Sequence, residues 1–188
     1  MKRGLLTCCF FVSVLFCGAQ GSFPKAYVGH WKGDLLWYQT GKQVPQKVKM
    51  QLIIRPTDTA NVYTWQIIYG EKGEDNRPYL LKPVDTAGGH WQVDEQNGIV
   101  LDQYLVGNRF TSAFTVQTTT IVDSYWREGK NLMAEFYSLT AKPVATTGQG
   151  TDESPKVDSY GTKGYQKAVL TLVSGTQKNP KRTNNRTR

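Results

Sequence analysis

The feature that most constrains this chain is a two-residue alternation of apolar and polar side chains. It is clearest over residues 47–55: Val48, Met50, Leu52 and Ile54 fall on one side, while Lys47, Lys49, Gln51 and Arg55 fall on the other. Ile53 is the exception. A strand of this type packs one face on a core and shows the other to water. In residues 62–69, Tyr63, Trp65, Ile67 and Tyr69 share one face, and aromatic and β-branched residues suit a pleated surface.

The same reading extends along the chain. Strands are expected at 30–39, 47–55, 62–69, 78–84, 90–95, 99–105, 109–117, 119–126, 132–142 and 165–173. The segment 78–84 is short and bounded by prolines, which predicts an edge or irregular strand. Asn97-Gly98 predicts a tight hairpin in which both residues take positive φ. Short turns leave no room for crossover helices, so a parallel sheet is not expected. The expected fold is all-β: an antiparallel up-and-down meander of about ten strands, closed into a barrel because an open meander leaves two exposed edges.

Two ends fall outside this pattern. Lys2 and Arg3 precede an apolar run at 5–16, and Cys17-Gly18-Ala19 supplies small residues, the three-part pattern of a secretory signal over 1–19. Export, periplasmic or secreted, is expected. Lipid attachment at Cys17 ranks below it, because Phe16 stands where such signals want a small side chain. All three cysteines (Cys8, Cys9, Cys17) lie in this leader, so a mature chain uses neither disulfides nor thiolates. Residues 177–188 read as a disordered basic tail. Of the net charge of +8, the leader carries two and the tail five, which leaves the body at +1. A nucleic-acid partner is not expected of so neutral a body. The tail suits weak contact with an anionic surface. One barrel domain over 20–176 is expected, monomeric, with a long loop or hairpin excursion at 143–163 rich in Thr, Gly, Ser, Asp and Lys.

Gly29-His30-Trp31 at the start of the first strand resembles the calycin superfamily of lipocalins, fatty-acid-binding proteins and avidin-like barrels. The resemblance covers the strand pattern from about residue 29 to 173. It implies that Trp31 plugs one end of the barrel and that an apolar ligand binds inside. Lipocalins also commonly stack an arginine of the last strand on that tryptophan. Here 165–173 holds only Lys167.

The aromatic strand residues make the case for a cavity, since pockets are mainly apolar with a few placed polar groups. Tyr63, Trp65, Tyr69, Phe114, Tyr125 and Phe136 are the candidate ligand-binding residues, together with Glu135, a carboxylate in an apolar run. If Glu135 is buried beside Asp123 or Asp94, acid catalysis becomes conceivable. The competing reading makes it an outward-facing group paired with Arg109 or Arg127. His30 and His90, without cysteines, do not make a standard structural zinc site, and both look like surface residues at strand ends. No catalytic residue, metal or cofactor is assigned. A barrel binding a small apolar or amphipathic molecule ranks first. A filled barrel serving as a structural or interaction domain ranks second, and an enzyme using Glu135 with Asp123 or Asp94 ranks third.

Overall fold

The computed structural model describes residues 22–173; the leader and the basic tail expected from sequence lie outside the described residues. A single turn of 3-10 helix, Lys25–Tyr27, precedes the strands. These are β1 (Gly29–Gln39), β2 (Gln46–Ile54), β3 (Tyr63–Tyr69), β4 (Asp75–Asp85), β5 (His90–Asp94), β6 (Val100–Val106), β7 (Arg109–Val116), β8 (Thr119–Glu128), β9 (Asn131–Thr140), β10 (Ala145–Thr147), β11 (Val157–Ser159) and β12 (Thr162–Leu172). Ten of them form a closed antiparallel barrel in which each strand pairs with its sequence neighbour, and β1 closes the ring against β12. The excursion at 143–163 is a hairpin: β10 and β11 pair only with each other.

Closure of β1 on β12 removes the two edges of the meander, and β4 is interior by its own pairing. The expected edge strand runs for 11 residues between β3 and β5. Pro78 is tolerated because β5 does not reach it; pairing with β5 starts at Leu80. The Pro78 carbonyl accepts from Gln96 Nε2 instead, so the missing N–H points away from β3 into a gap where no ladder bond is needed. Near Pro83 the register shifts by a bulge. The turn between β5 and β6 also differs from expectation. Gln96 and Gly98 take positive φ, not Asn97. The Asn97 side chain instead accepts a hydrogen bond from the Ile99 N–H at 2.9 Å, a local bond that holds the turn without a left-handed asparagine.

One end of the barrel is packed solid. Trp31, Leu52, Ile54, Trp65, Leu81, Phe110, Leu132, Ala134, Ala168 and Leu170 are all buried there. The N-terminal turn folds across this end: Phe23 packs on Tyr27, Trp91 and Phe110, with ring centroids 4.4–5.3 Å apart. Trp31 Nε1 donates to the Tyr27 carbonyl at 2.8 Å. The Arg127 guanidinium lies 4.5 Å over the Trp31 ring and donates to the carbonyls of Ala26 (2.5 Å) and Asn131 (3.1 Å). The stacking cation thus comes from β8, not from the last strand.

The seam between β1 and β12 depends on a glycine. A Cβ at Gly33 would lie 2.1 Å from the Val169 carbonyl oxygen, so any side chain must push the two strands apart. Gly33→Ala is expected to lower stability by about 2 kcal/mol, as overpacking does. A urea denaturation curve checks it, and an unchanged midpoint would contradict this account of the seam.

Candidate functional site

Strand alternation points every second residue into the barrel. Toward the end opposite the packed one, where the turns β2–β3 and β4–β5 are absent and the 70–74 and 95–99 turns stand, the interior opens into a cavity of about 320 Å³. Its walls carry Trp37, Trp65, Tyr69, Phe114, Tyr125 and Phe136, with Leu35, Val48, Ile67, Val93, Leu101 and Ile121 between them. The aromatics hold one another edge to face: Trp65 and Tyr125 have centroids 5.1 Å apart, and Tyr125 and Phe136 5.7 Å. Such contacts fix ring orientation, so these walls are preorganised.

Two buried polar side chains interrupt the apolar wall. Asp123, 6% exposed, lies on β8, and Gln103, 2% exposed, lies on β6. Asp123 Oδ1 accepts from the Ser112 backbone N–H at 3.0 Å and from the Ser112 hydroxyl at 2.8 Å. Burial pushes the Asp123 carboxyl up to about 6, against the pull of Ser112 and of the adjacent Gln103. Gln103 Oε1 is buried without a hydrogen-bond partner. At the mouth, Arg77 grips Asp75 through Nε (3.0 Å) and a terminal nitrogen (2.6 Å), and its guanidinium sits 5.2 Å from the centre of the Tyr69 ring. The Arg77 contact holds the Asp75 carboxyl below its usual range. Burial pushes the Tyr69 hydroxyl up to about 12.

Five of the seven candidate residues line this cavity: Trp65, Tyr69, Phe114, Tyr125 and Phe136. Tyr63 is buried but stands at the packed end and does not line it. Glu135 lies outside. Its neighbours across the sheet are Ser124 on β8 and Lys167 on β12, whereas the inward Asp123 pairs with Phe136. Glu135 accepts from the Tyr165 hydroxyl at 2.7 Å and lies 3.7 Å from Arg109. Asp94 is also on the outer face, 2.5 Å from Lys82. The acid pairs considered from sequence therefore do not meet: the barrel wall separates Glu135 and Asp94 from Asp123. His30 and His90 face outward as well, bonded to Gln51 and Asp102 at 2.8 Å each. Among the described residues, no three His, Asp or Glu side chains converge into a metal-binding group.

The sequence reading missed Gln103 and the Asp75–Arg77 pair. A signal for Gln103 existed, since it shares its face with Leu101 and Leu105 by strict alternation. For Asp75 and Arg77 there was none, because they lie in a charged stretch that reads as a loop.

No family model matches the chain, and no curated protein matches it in sequence. Among solved structures, it is similar to a protein of unknown function from the DUF3598 family of Nostoc punctiforme, with a TM-score of 0.55 and 13% identity. The match covers 78% of this chain and 47% of that one, so the chain spans about half the length of that protein. At this identity the likeness is one of fold.

Proposed function

We propose that this protein is a calycin-like, extracytoplasmic barrel that binds a small amphipathic molecule inside its open end. The observation that carries this reading is the half-filled barrel. One end is filled by fully buried apolar side chains, while the other keeps an aromatic-walled cavity of about 320 Å³ lined by a buried acid and a buried amide. A barrel kept only for structure gains nothing from leaving apolar walls unpacked or from burying Asp123, since both lower stability. The volume falls at the lower end of small-molecule pockets, roughly 300–1,000 Å³, which favours a ligand of one ring or a short chain over a long fatty acid. The Gly29-His30-Trp31 start and the Arg127–Trp31 stack support the calycin-like reading, and the leader pattern supports export.

The test is a titration of intrinsic tryptophan fluorescence, using the full chain and a panel of small alcohols, amines and carboxylates with phenyl or hexyl bodies. Saturable quenching through Trp65 is expected. Ser138 lines the cavity, and Ser138→Phe should weaken binding at least tenfold, about 1.4 kcal/mol, while the thermal melt stays cooperative. A flat response from every compound would remove the binding reading and favour the interaction-domain alternative.

A further inference from the structure

Asp123 is a buried carboxylate that lacks a countercharge. Its hydrogen-bond donors, the Ser112 N–H and hydroxyl and the adjacent Gln103 amide, carry no charge. Among the described residues, no lysine, arginine or histidine forms an ion pair with it. The one guanidinium lining the cavity, Arg77, is already engaged by Asp75 at the mouth. The cavity lining therefore sets three carboxylates (Asp75, Glu95 and Asp123) against a single cation. This acidity is local, since the barrel body as a whole carries a net charge of +1.

The second observation is independent of charge. Gln103 Oε1, on a neighbouring part of the same lining, is buried and accepts nothing. A buried polar atom of this kind costs free energy until a donor reaches it. A water molecule could satisfy an amide oxygen, but it would not neutralise a carboxylate. A metal ion would find too few ligands, because no group of three converges among the described residues. What fits both atoms is a compact organic cation with several N–H donors. Trp65 and Tyr125 line the same cavity, and aromatic rings favour a cation in a desolvated site.

Building on the binding reading above, we propose that the ligand class is a small primary amine bound as its ammonium ion. The ammonium sits on Asp123 and Gln103, and the apolar body lies against Trp65, Tyr69, Phe114 and Phe136. The other titratable groups facing the cavity are Asp75, Arg77, Tyr79 and Glu95. The first two neutralise each other, and Glu95 adds a negative charge that favours the same ligand sign.

The experiment is isothermal titration calorimetry on the full chain with three molecules that share one body: 3-phenylpropan-1-amine, 3-phenylpropan-1-ol and 3-phenylpropanoate. The amine is expected to bind at least tenfold tighter than the alcohol, and the carboxylate weakest. Lowering the pH from 8 to 5 should reduce amine affinity several-fold as Asp123 takes up a proton, and should leave the alcohol unchanged. Asp123→Asn should bring amine and alcohol together. If alcohol or carboxylate binds as well as the amine, the amine proposal falls and the binding barrel stands. If none of the three binds, the amine proposal falls, and the binding reading falls with it when the fluorescence panel is also flat. The comparison among ligands on the unaltered chain does not depend on any variant folding.

Discussion

Trp31→Ala is expected to lower unfolding free energy by about 3–5 kcal/mol, the range for deleting a large buried aromatic. Trp31 is 1% exposed, so truncation leaves a void that the rigid strand ends around it do not fill. Two further losses follow. The Tyr27 carbonyl loses its donor at 2.8 Å, and the Arg127 guanidinium loses the ring it stacks on. Arg127 holds the Ala26 carbonyl and so ties the N-terminal turn across the barrel end. That turn carries Phe23, which packs on Trp91 and Phe110. The damage should therefore spread to the cap, and hydrogen exchange at Tyr27 and Val28 should rise more than exchange at Phe136. Trp31→Phe keeps most of the packing and removes the N–H, so about 1–2 kcal/mol is expected from the smaller ring and the bare carbonyl. Urea denaturation of both variants decides the matter. A loss below 1 kcal/mol for alanine would mean that Trp31 does not plug the barrel.

Asp123→Asn should act in the opposite direction. The carboxyl is pushed up to about 6 by burial, against about 3.9 in an unfolded chain. The folded state thus holds the proton more tightly. The sign follows: this group's contribution is most favourable below about pH 4, declines as pH rises toward 6, and stays at its least favourable above that. The difference between about 6 folded and about 3.9 unfolded corresponds to roughly 3 kcal/mol. An asparagine keeps Oδ1 for the Ser112 donors and carries no charge, so the variant should be more stable than the parent at pH 7.5 by about 2–3 kcal/mol. The gap should shrink toward pH 4. Carboxylates held low by cations, such as Asp34 and Asp94, give the opposite pH slope, but they are common to both proteins and cancel in the difference. Paired melts at pH 4.5 and 7.5 test this. An asparagine variant less stable at pH 7.5 would show that Asp123 is not a strained buried acid. A gain in stability paired with lost amine discrimination is the pattern of a site kept for function.

The two candidate residues that do not line the cavity, Glu135 and Tyr63, failed for different reasons. β9 runs Leu132, Met133, Ala134, Glu135, Phe136 and Tyr137, with Leu132, Met133 and Ala134 buried in succession. Alternation is lost there because the outer face is also covered: Trp126, on the outer side of β8, is buried under the Arg109 guanidinium 3.4 Å away. With apolar residues on both faces, the phase of the strand is illegible, and a one-residue error moves every side chain through the wall. Glu135 went to the wrong side for that reason. Tyr63 failed differently. Its face was legible, but its height in the barrel was not, and height decides between packed core and cavity wall.

The division between the two levels follows from the range of the forces involved. Local pattern determined the all-β class, the ten barrel strands, the facing of β2 and β3 and the inward aromatics Trp65 and Tyr69, because a period of two is a property of neighbouring residues. Tertiary structure alone decided that β4 has no free edge, that Arg127 covers Trp31 from 96 positions along the chain, and that Asp123 and Gln103 share one cavity. The first follows from pairing of β4 with β3 and β5 and the last from the curvature of the β6–β8 wall, while the Arg127–Trp31 contact needs closure of β1 on β12, which brings residues with no sequence relation to the same end of the barrel. Partners at that range leave no periodicity behind, so only the closed barrel brings them together.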